Sequence, residues 1–70
     1  MFTYLEIYET QPYKLLLRKD ISKMNPMEIV EKKEEKMRVL TFEQGLYCRY
    51  GYNESANELP EIDLIQSLTN

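Results

Sequence analysis

One cysteine and no histidine limit the catalytic chemistry open to this chain of 70 residues. A cysteine nucleophile needs a lowered pKa, which usually comes from a histidine, a helix N-terminus or a neighbouring cation. Arg49 follows Cys48, but consecutive residues of a strand point to opposite faces of a sheet, so the guanidinium would lie away from the thiol. We therefore interpret Cys48 as a small buried hydrophobic side chain.

Two groups of carboxylates could act as general acids and bases if a cleft separated their pKa values. Their spacing is instead typical of the solvated faces of amphipathic helices. The chain also lacks a histidine-bearing metal motif and the glycines of a phosphate-binding loop. We predict no catalytic, cofactor-binding or metal-binding residues, and hence a protein that is not an enzyme. The two groups are Glu34 with Glu35, and Glu58 with Glu61 and Asp63.

A tyrosine-rich segment indicates an alternative function, the binding of single-stranded nucleic acid. Aromatic side chains that alternate with a basic residue on a strand can stack bases beside a charged groove. The net charge of −3 argues against this function, because nucleic-acid-binding proteins normally carry a basic surface. The residues that would carry it are Tyr47, Arg49, Tyr50 and Tyr52.

Association with another protein is the function that the composition favours. Hydrophobic residues make up 43% of a short chain, and domains of this size commonly need disulfides, metals or partners for stability. Tyrosine and methionine, present six and four times, are enriched at interfaces. We predict a regulatory or inhibitory protein whose partner is another protein or, as a homodimer, a second copy. The predicted partner-binding residues are Phe2, Tyr4, Tyr8, Tyr47, Arg49, Tyr50 and Tyr52.

The acidic C-terminal part raises a third hypothesis, that its carboxylates imitate nucleic-acid phosphates and block a channel of a larger enzyme. The net charge of −3 is small for such mimicry, and a solvated helix face explains the same residues. Small chains without catalytic groups are nevertheless typical of the proteins with which phages and mobile elements block host enzymes. The acids in question are Glu54, Glu58, Glu61 and Asp63.

The compartment is predicted from the start of the chain, its apolar runs and its cysteine. Residues 1–6 show neither the basic nor the apolar region of a signal peptide. Apolar runs are far shorter than a membrane span needs, and one free cysteine is typical of a reducing cytosol. We therefore expect a cytoplasmic protein without membrane contact, built as one domain over residues 1–70.

The first part of the chain is predicted to form a β-hairpin. Residues 2–9 are rich in aromatic and β-branched types, and both faces of this strand are apolar enough to need cover. Residues 13–24 are compatible either with a returning strand or with a helix. We favour the strand because the nearest segment of the chain usually pairs with a first strand.

Residues 25–38 carry the signals of a helix. Asn25 is a good N-cap, Pro26 suits the first helical position, and Glu28 stands at capping-box spacing. The apolar stripe is thin, so we expect the helix to lie on a sheet with most of its circumference in water. The stripe consists of Met27, Val30, Met37 and Leu40, with Glu34 interrupting it.

The second half is predicted as a hairpin followed by a helix. Residues 38–42 and 46–52 are strand-like and are joined by a turn in which Gly45 can adopt a positive φ. Gly51 indicates a bulge, a bend or the close approach of another backbone. Residues 55–68 have the capping and apolar spacing of a helix.

These elements predict an α+β domain with an antiparallel sheet of about four strands and two helices. Their order is strand, strand, helix, strand, strand, helix. The alternative pairs residues 28–32 with residues 37–42 and gives a small β-barrel of about five strands that ends in a helix.

Overall fold

A computed structural model describes the backbone of residues 1–68 and the side chains of residues 1–66. It is an α+β fold with one antiparallel sheet and one long helix. Within residues 1–68, no helix has the length and hydrophobicity needed to cross a membrane. The strands are β1 (Phe2–Thr10), β2 (Tyr13–Asp20), β3 (Cys48–Ser55) and β4 (Ile62–Asp63); helix α1 (Pro26–Arg38) continues into a π-helical turn (Val39–Glu43), and Ile65–Leu68 form one helical turn.

The strands lie in the order β3-β1-β2-β4, and all neighbours are antiparallel. The predicted N-terminal hairpin is confirmed, because β2 returns along β1 and no helix forms over residues 13–20. The amide of Thr10 donates to the carbonyl of Tyr47, and that of Ile21 donates to the carbonyl of Thr3. In an antiparallel ladder the hydrogen-bonding direction alternates along the strand. The backbone amides and carbonyls of the even-numbered residues of β1 therefore point towards β3, and those of the odd-numbered residues point towards β2.

The core lies between the sheet and α1. The register of β1 with β2 shifts between Ile7 and Tyr8, and this irregularity allows two consecutive residues, Leu16 and Leu17, to enter the same core. Without it, strand alternation would place one of the two leucines on the opposite face. The buried core residues are Leu5, Ile7, Leu16, Leu17, Ile21, Leu40 and Ile65.

The start of α1 is confirmed in detail. The Glu28 amide donates to the Asn25 side chain (2.8 Å), and the Asn25 amide donates to the Glu28 carboxylate (3.4 Å). The predicted apolar stripe is partly wrong, since Met27 is 70% exposed and Val30 is also exposed. Ile29 packs against the core in their place, together with Met37 and the buried Leu40.

The strand predicted over residues 38–42 is wrong, because α1 runs on through this segment as a π-helical turn. The turn carries Leu40 into the core, where its side chain is fully buried. The hydroxyl of Thr41 donates to the carbonyl of Met37 (2.7 Å) and so contributes a bond inside the continued helix. Burial of Leu40 outweighs the strand-like alternation of this segment.

The helix predicted over residues 55–68 is also wrong, since only Ile65–Leu68 form a helical turn. Ser55 instead ends β3, and Ile62 and Asp63 pair with β2 as β4. Pro60 interrupts the helical spacing, and the segment gains more by running extended over the sheet. The alternative barrel does not form either, because β3 and β4 remain the two outer strands of an open sheet.

Candidate functional site

The sheet has a helix face, on which α1 packs, and an open face on the other side. The C-terminal segment, residues 56–61, covers one part of the open face. There the Leu59 amide donates to the hydroxyl oxygen of Tyr4 (2.7 Å), and the Tyr4 hydroxyl contacts the Leu59 carbonyl at 3.4 Å. The sequence analysis predicted Tyr4 as a partner-binding residue. This prediction is wrong, because the side chain of Tyr4 is fully buried.

A polar network marks the middle of the open face. Arg18 Nε donates to Glu6 Oε2 at 2.8 Å, and Asn53 Nδ2 donates to the same oxygen at 3.3 Å. Arg18 Nη1 also donates to the carbonyl of Pro60 at 3.3 Å. The network joins three strands to the C-terminal segment and forms the border between the covered and the uncovered part of the open face.

The uncovered part carries what we call the open-face patch: Tyr8, Tyr13, Leu15 and Arg49. Tyr8 lies opposite Arg49 on β3 and opposite Leu15 on β2, so three strands contribute to the patch. The rings of Tyr8 and Tyr13 lie 5.2 Å apart with an interplanar angle of 42°, and Tyr13 is 70% exposed. The patch therefore combines two packed aromatic rings with an exposed cation.

Tyr50 and Tyr52 lie on the helix face, next to the outer edge of β3. Their rings meet edge to face with centroids 6.1 Å apart, and Lys33 Nζ of α1 lies 4.6 Å from the centre of the Tyr50 ring. About half of each side chain is accessible, 44% for Tyr50 and 54% for Tyr52. Such a cation–π contact ties the helix to the outer strand.

The structure thus divides the predicted partner-binding residues between two faces. Tyr8 and Arg49 belong to the open-face patch, whereas Phe2 stacks against the covered Tyr4 with centroids 6.4 Å apart. Tyr47 precedes β3, and its side chain is exposed. The four residues of the nucleic-acid alternative do not share one face, because the side chain of Arg49 lies on the opposite side from those of Tyr50 and Tyr52.

The outer edge of β3 has four residues whose backbone groups point away from the sheet. Tyr47 bonds to β1, and alternation then directs the amides and carbonyls of every second residue outward. Within residues 1–66, we find no backbone hydrogen-bond partner for this edge: β3 pairs with β1 alone. The four residues are Cys48, Tyr50, Tyr52 and Glu54.

The outer edge of β2 is occupied by contrast. The Leu64 amide donates to the Leu16 carbonyl (2.9 Å), and Arg18 pairs with Ile62 of β4. Pro60 has no amide hydrogen to continue this ladder, and the Asp20 amide instead donates to Glu61 Oε2 at 2.9 Å. Glu61, one of the carboxylates that the sequence placed on a solvated helix face, thus holds the C-terminal segment to β2.

Cys48 packs against the edge of the core and lines an open hollow of about 610 Å³. Burial raises the pKa of its thiol above the usual value, and the negative charge of Glu9, its partner on β1, raises it further. A thiol with a raised pKa is protonated at neutral pH and is a poor nucleophile. Cys48 is partly buried rather than buried as the sequence predicts, and it packs against the core from the side of this hollow.

Sequence reasoning missed Tyr13 and Leu15 of the open-face patch. Both residues lie on β2 and share the open face with Tyr8 of β1. Which face of β2 joins Tyr8 is decided by the register of the hairpin, which the sequence pattern alone does not give. It also missed Phe42, which the π-helical turn leaves 84% exposed.

No known protein family, characterised protein or solved structure matches this chain. The function must therefore be inferred from the geometry and chemistry of these surfaces. The open-face patch and the outer edge of β3 are the two features that an association with another chain would use.

Proposed function

We propose that this chain is a non-enzymatic regulatory or inhibitory protein that binds another protein through the open-face patch. The observation that supports the proposal is the packed pair of Tyr8 and Tyr13, which lies beside Arg49 on the uncovered part of the sheet. A solvated sheet face normally carries polar side chains, whereas this one presents aromatic rings and a leucine. Tyr13 is exposed, and the half-buried Tyr8 and Leu15 continue its apolar surface; contiguous apolar surface is typical of interaction sites.

The chemistry of the patch suits a protein partner. Tyrosine has few rotatable bonds, so it loses little conformational entropy on binding, and the contact between Tyr8 and Tyr13 restricts both rings further. Arg49 supplies a planar donor group that can bind a carboxylate with two hydrogen bonds or stack on a ring. The expected partner surface therefore combines an apolar contact with an acidic side chain.

We propose regulation or inhibition because a small chain for which no catalytic residues are predicted would act by binding, that is, by occupying a surface of a larger protein. We place this action in the cytoplasm, where a single free cysteine such as Cys48 stays reduced. The proposal does not use the acidic mimicry hypothesis, because Glu61 and Asp63 contact the chain itself: Glu61 accepts from Asp20, and Asp63 Oδ1 accepts from the Ile65 amide at 3.1 Å.

The test compares capture of proteins from a lysate of the source cells by the wild type and two variants, Tyr13→Lys and Tyr52→Lys. Both substitutions replace an exposed tyrosine and change the net charge equally, but only the first alters the open-face patch. We expect Tyr13→Lys to retain roughly tenfold less of the partner, as for an interface hot spot, and Tyr52→Lys to retain it as the wild type does. Circular dichroism checks that both variants fold.

Equal retention by Tyr13→Lys and the wild type would contradict the proposal. Retention that disappears after nuclease treatment would favour the nucleic-acid alternative instead. In that case a labelled single-stranded oligonucleotide should bind with an affinity that falls as salt is raised.

A further inference from the structure

The outer edge of β3 lacks most of the protection that sheet edges usually carry. Edge strands normally avoid pairing with other chains through charged side chains (lysine above all), prolines, bulges, short length or cover by another element. β3 has eight residues, CRYGYNES, without a lysine or a proline, and its charged residues are Arg49 and Glu54. Its register with β1 runs from Phe2–Ser55 to Glu9–Cys48 without a shift. A regular, bare strand of this length is a template for a further strand.

The outward backbone groups are arranged symmetrically about Gly51. Tyr50 and Tyr52 flank it directly, and Cys48 and Glu54 lie one step further out on either side. An identical strand can run antiparallel to this edge, with a two-fold axis at Gly51. Tyr50 of each copy then pairs with Tyr52 of the other, and Cys48 of each copy pairs with Glu54 of the other. Each hydrogen-bonded pair exchanges two bonds, so this register forms about eight backbone hydrogen bonds.

Gly51 is not explained by its own chain. Gly45 is the one glycine with a positive φ, and the register of β3 passes through Gly51 without a bulge. Among the described residues, a Cβ added at Gly51 would meet no heavy atom within 4 Å. A glycine weakens a strand, and close approach of another backbone is a usual reason for keeping one. At a two-fold axis the two Gly51 residues would form a non-hydrogen-bonded pair, the closer of the two pair types.

We propose that two copies of this chain pair antiparallel along β3, with the two-fold axis at Gly51, and form one continuous sheet. Tyr50 of each copy then lies opposite Tyr52 of the other on the helix face. The half-exposed rings of both copies come together in one aromatic cluster, in which Lys33 already contacts Tyr50. Aromatic cross-strand pairs stabilise antiparallel sheets, so the same side chains that line the edge favour this register.

A second copy suits this edge better than an unrelated extended peptide. In a two-fold interface the same surface of each copy must fit its counterpart in the other copy. This edge meets that requirement, because its outward backbone groups and its two tyrosines are placed symmetrically about Gly51. The dimer does not depend on the proposed function, because Tyr13 lies on β2, two strands away from the axis. Arg49 belongs to β3, but its side chain stays on the open face when that strand pairs at its edge, so the open-face patch of each copy remains accessible to another partner.

The test of register uses Gly51→Cys in a Cys48→Ser background, with Arg49→Cys in the same background as the matched control. Residues at position 51 of the two copies face each other directly, at a distance that a disulfide can bridge. Residues at position 49 are separated by about four residues along the strands, roughly 13 Å, which is too far. Under mild oxidation we expect Gly51→Cys to form at least tenfold more disulfide-linked dimer than Arg49→Cys.

Sedimentation of the unlinked protein gives a second measurement. The wild type and Tyr13→Lys should form dimers as concentration rises, and Tyr52→Lys, which places a charge beside the axis, should remain monomeric. Equal crosslinking of both cysteine variants, a wild type that stays monomeric at every concentration, or a dimer unaffected by Tyr52→Lys would each overturn the proposal. A monomer whose protein capture depends on Tyr13 would overturn the dimer and leave the proposed function standing. A monomer whose capture depends on Tyr52 would overturn both and indicate an extended peptide on the β3 edge.

Discussion

The long strands β2 and β3 differ in how their outer edges are covered. The edge of β2 receives a two-residue strand, a backbone bond to Leu16 and the carboxylate of Glu61. Strand β3 is four times as long as β4, and its outer edge receives no backbone hydrogen bond from residues 1–66. A few residues are therefore enough to occupy an edge, and the bare edge of β3 is the observation on which the proposed pairing of two copies rests.

The largest difference between the edges should appear when their side chains are truncated. Ile65 is fully buried beneath the covered edge, and Ile65→Ala should lower the free energy of unfolding by about 2–4 kcal/mol. Tyr52→Ala at the bare edge removes a side chain that is 54% exposed, and should cost less than half as much in dilute, monomeric protein. Urea unfolding measures both values. Equal losses would show that the C-terminal segment does not hold the β2 edge.

A smaller effect is expected from the edge carboxylates. Glu61 accepts a hydrogen bond from the Asp20 amide and lies 3.7 Å from Lys19 Nζ, but it is about half exposed. Glu61→Ala should therefore cost about 1 kcal/mol of unfolding free energy. Glu54→Ala removes the same charge from the bare edge of β3 and should change stability by less than about 0.5 kcal/mol in the monomer. A loss as large for Glu54→Ala as for Glu61→Ala would remove this distinction.

The smallest effect is a pH dependence at the end of β2. A hydrogen bond between Ser22 and the carboxylate of Asp20 lowers the pKa of that carboxyl below 3.8, and Lys23 and Lys19 contribute to the shift. A carboxyl whose pKa is lowered by folding stabilises the folded state above its unfolded pKa. This contribution should be lost as the pH falls from about 4 through the lowered pKa. Thermal unfolding should show that acid destabilises Asp20→Asn slightly less than it destabilises the wild type. Identical dependence of the unfolding temperature on pH in the two proteins would contradict this prediction.

Local signals predicted the first half of the fold well. The N-terminal hairpin follows from residue types and proximity, and the start of α1 follows from Asn25, Pro26 and Glu28, whose interactions span one turn. The sequence placed Met27 rather than Ile29 on the packed side of α1, and this was wrong because the partly buried residue depends on how α1 is rotated on the sheet.

The second half depends on contacts between distant residues. Residues 55–61 keep the spacing of a helix, yet the buried hydroxyl of Tyr4 and the free amide of Asp20 draw them into an extended path. The same limit applied to the candidate site. The sequence proposed Tyr8 and Arg49 as parts of separate strand faces, and only the pairing of β1 with β3 places them in one patch with Tyr13.

The central position of β1 also has a consequence for how the molecule folds. Its pairing with β2 is local, but its pairing with β3 joins Phe2 to Ser55, and closing so long a loop is slow compared with forming a hairpin. We therefore expect β1 to spend part of the folding time with one side unpaired. At high concentration that side can accept β3 from a neighbouring molecule, which makes strand exchange between chains the characteristic way for this topology to misassemble.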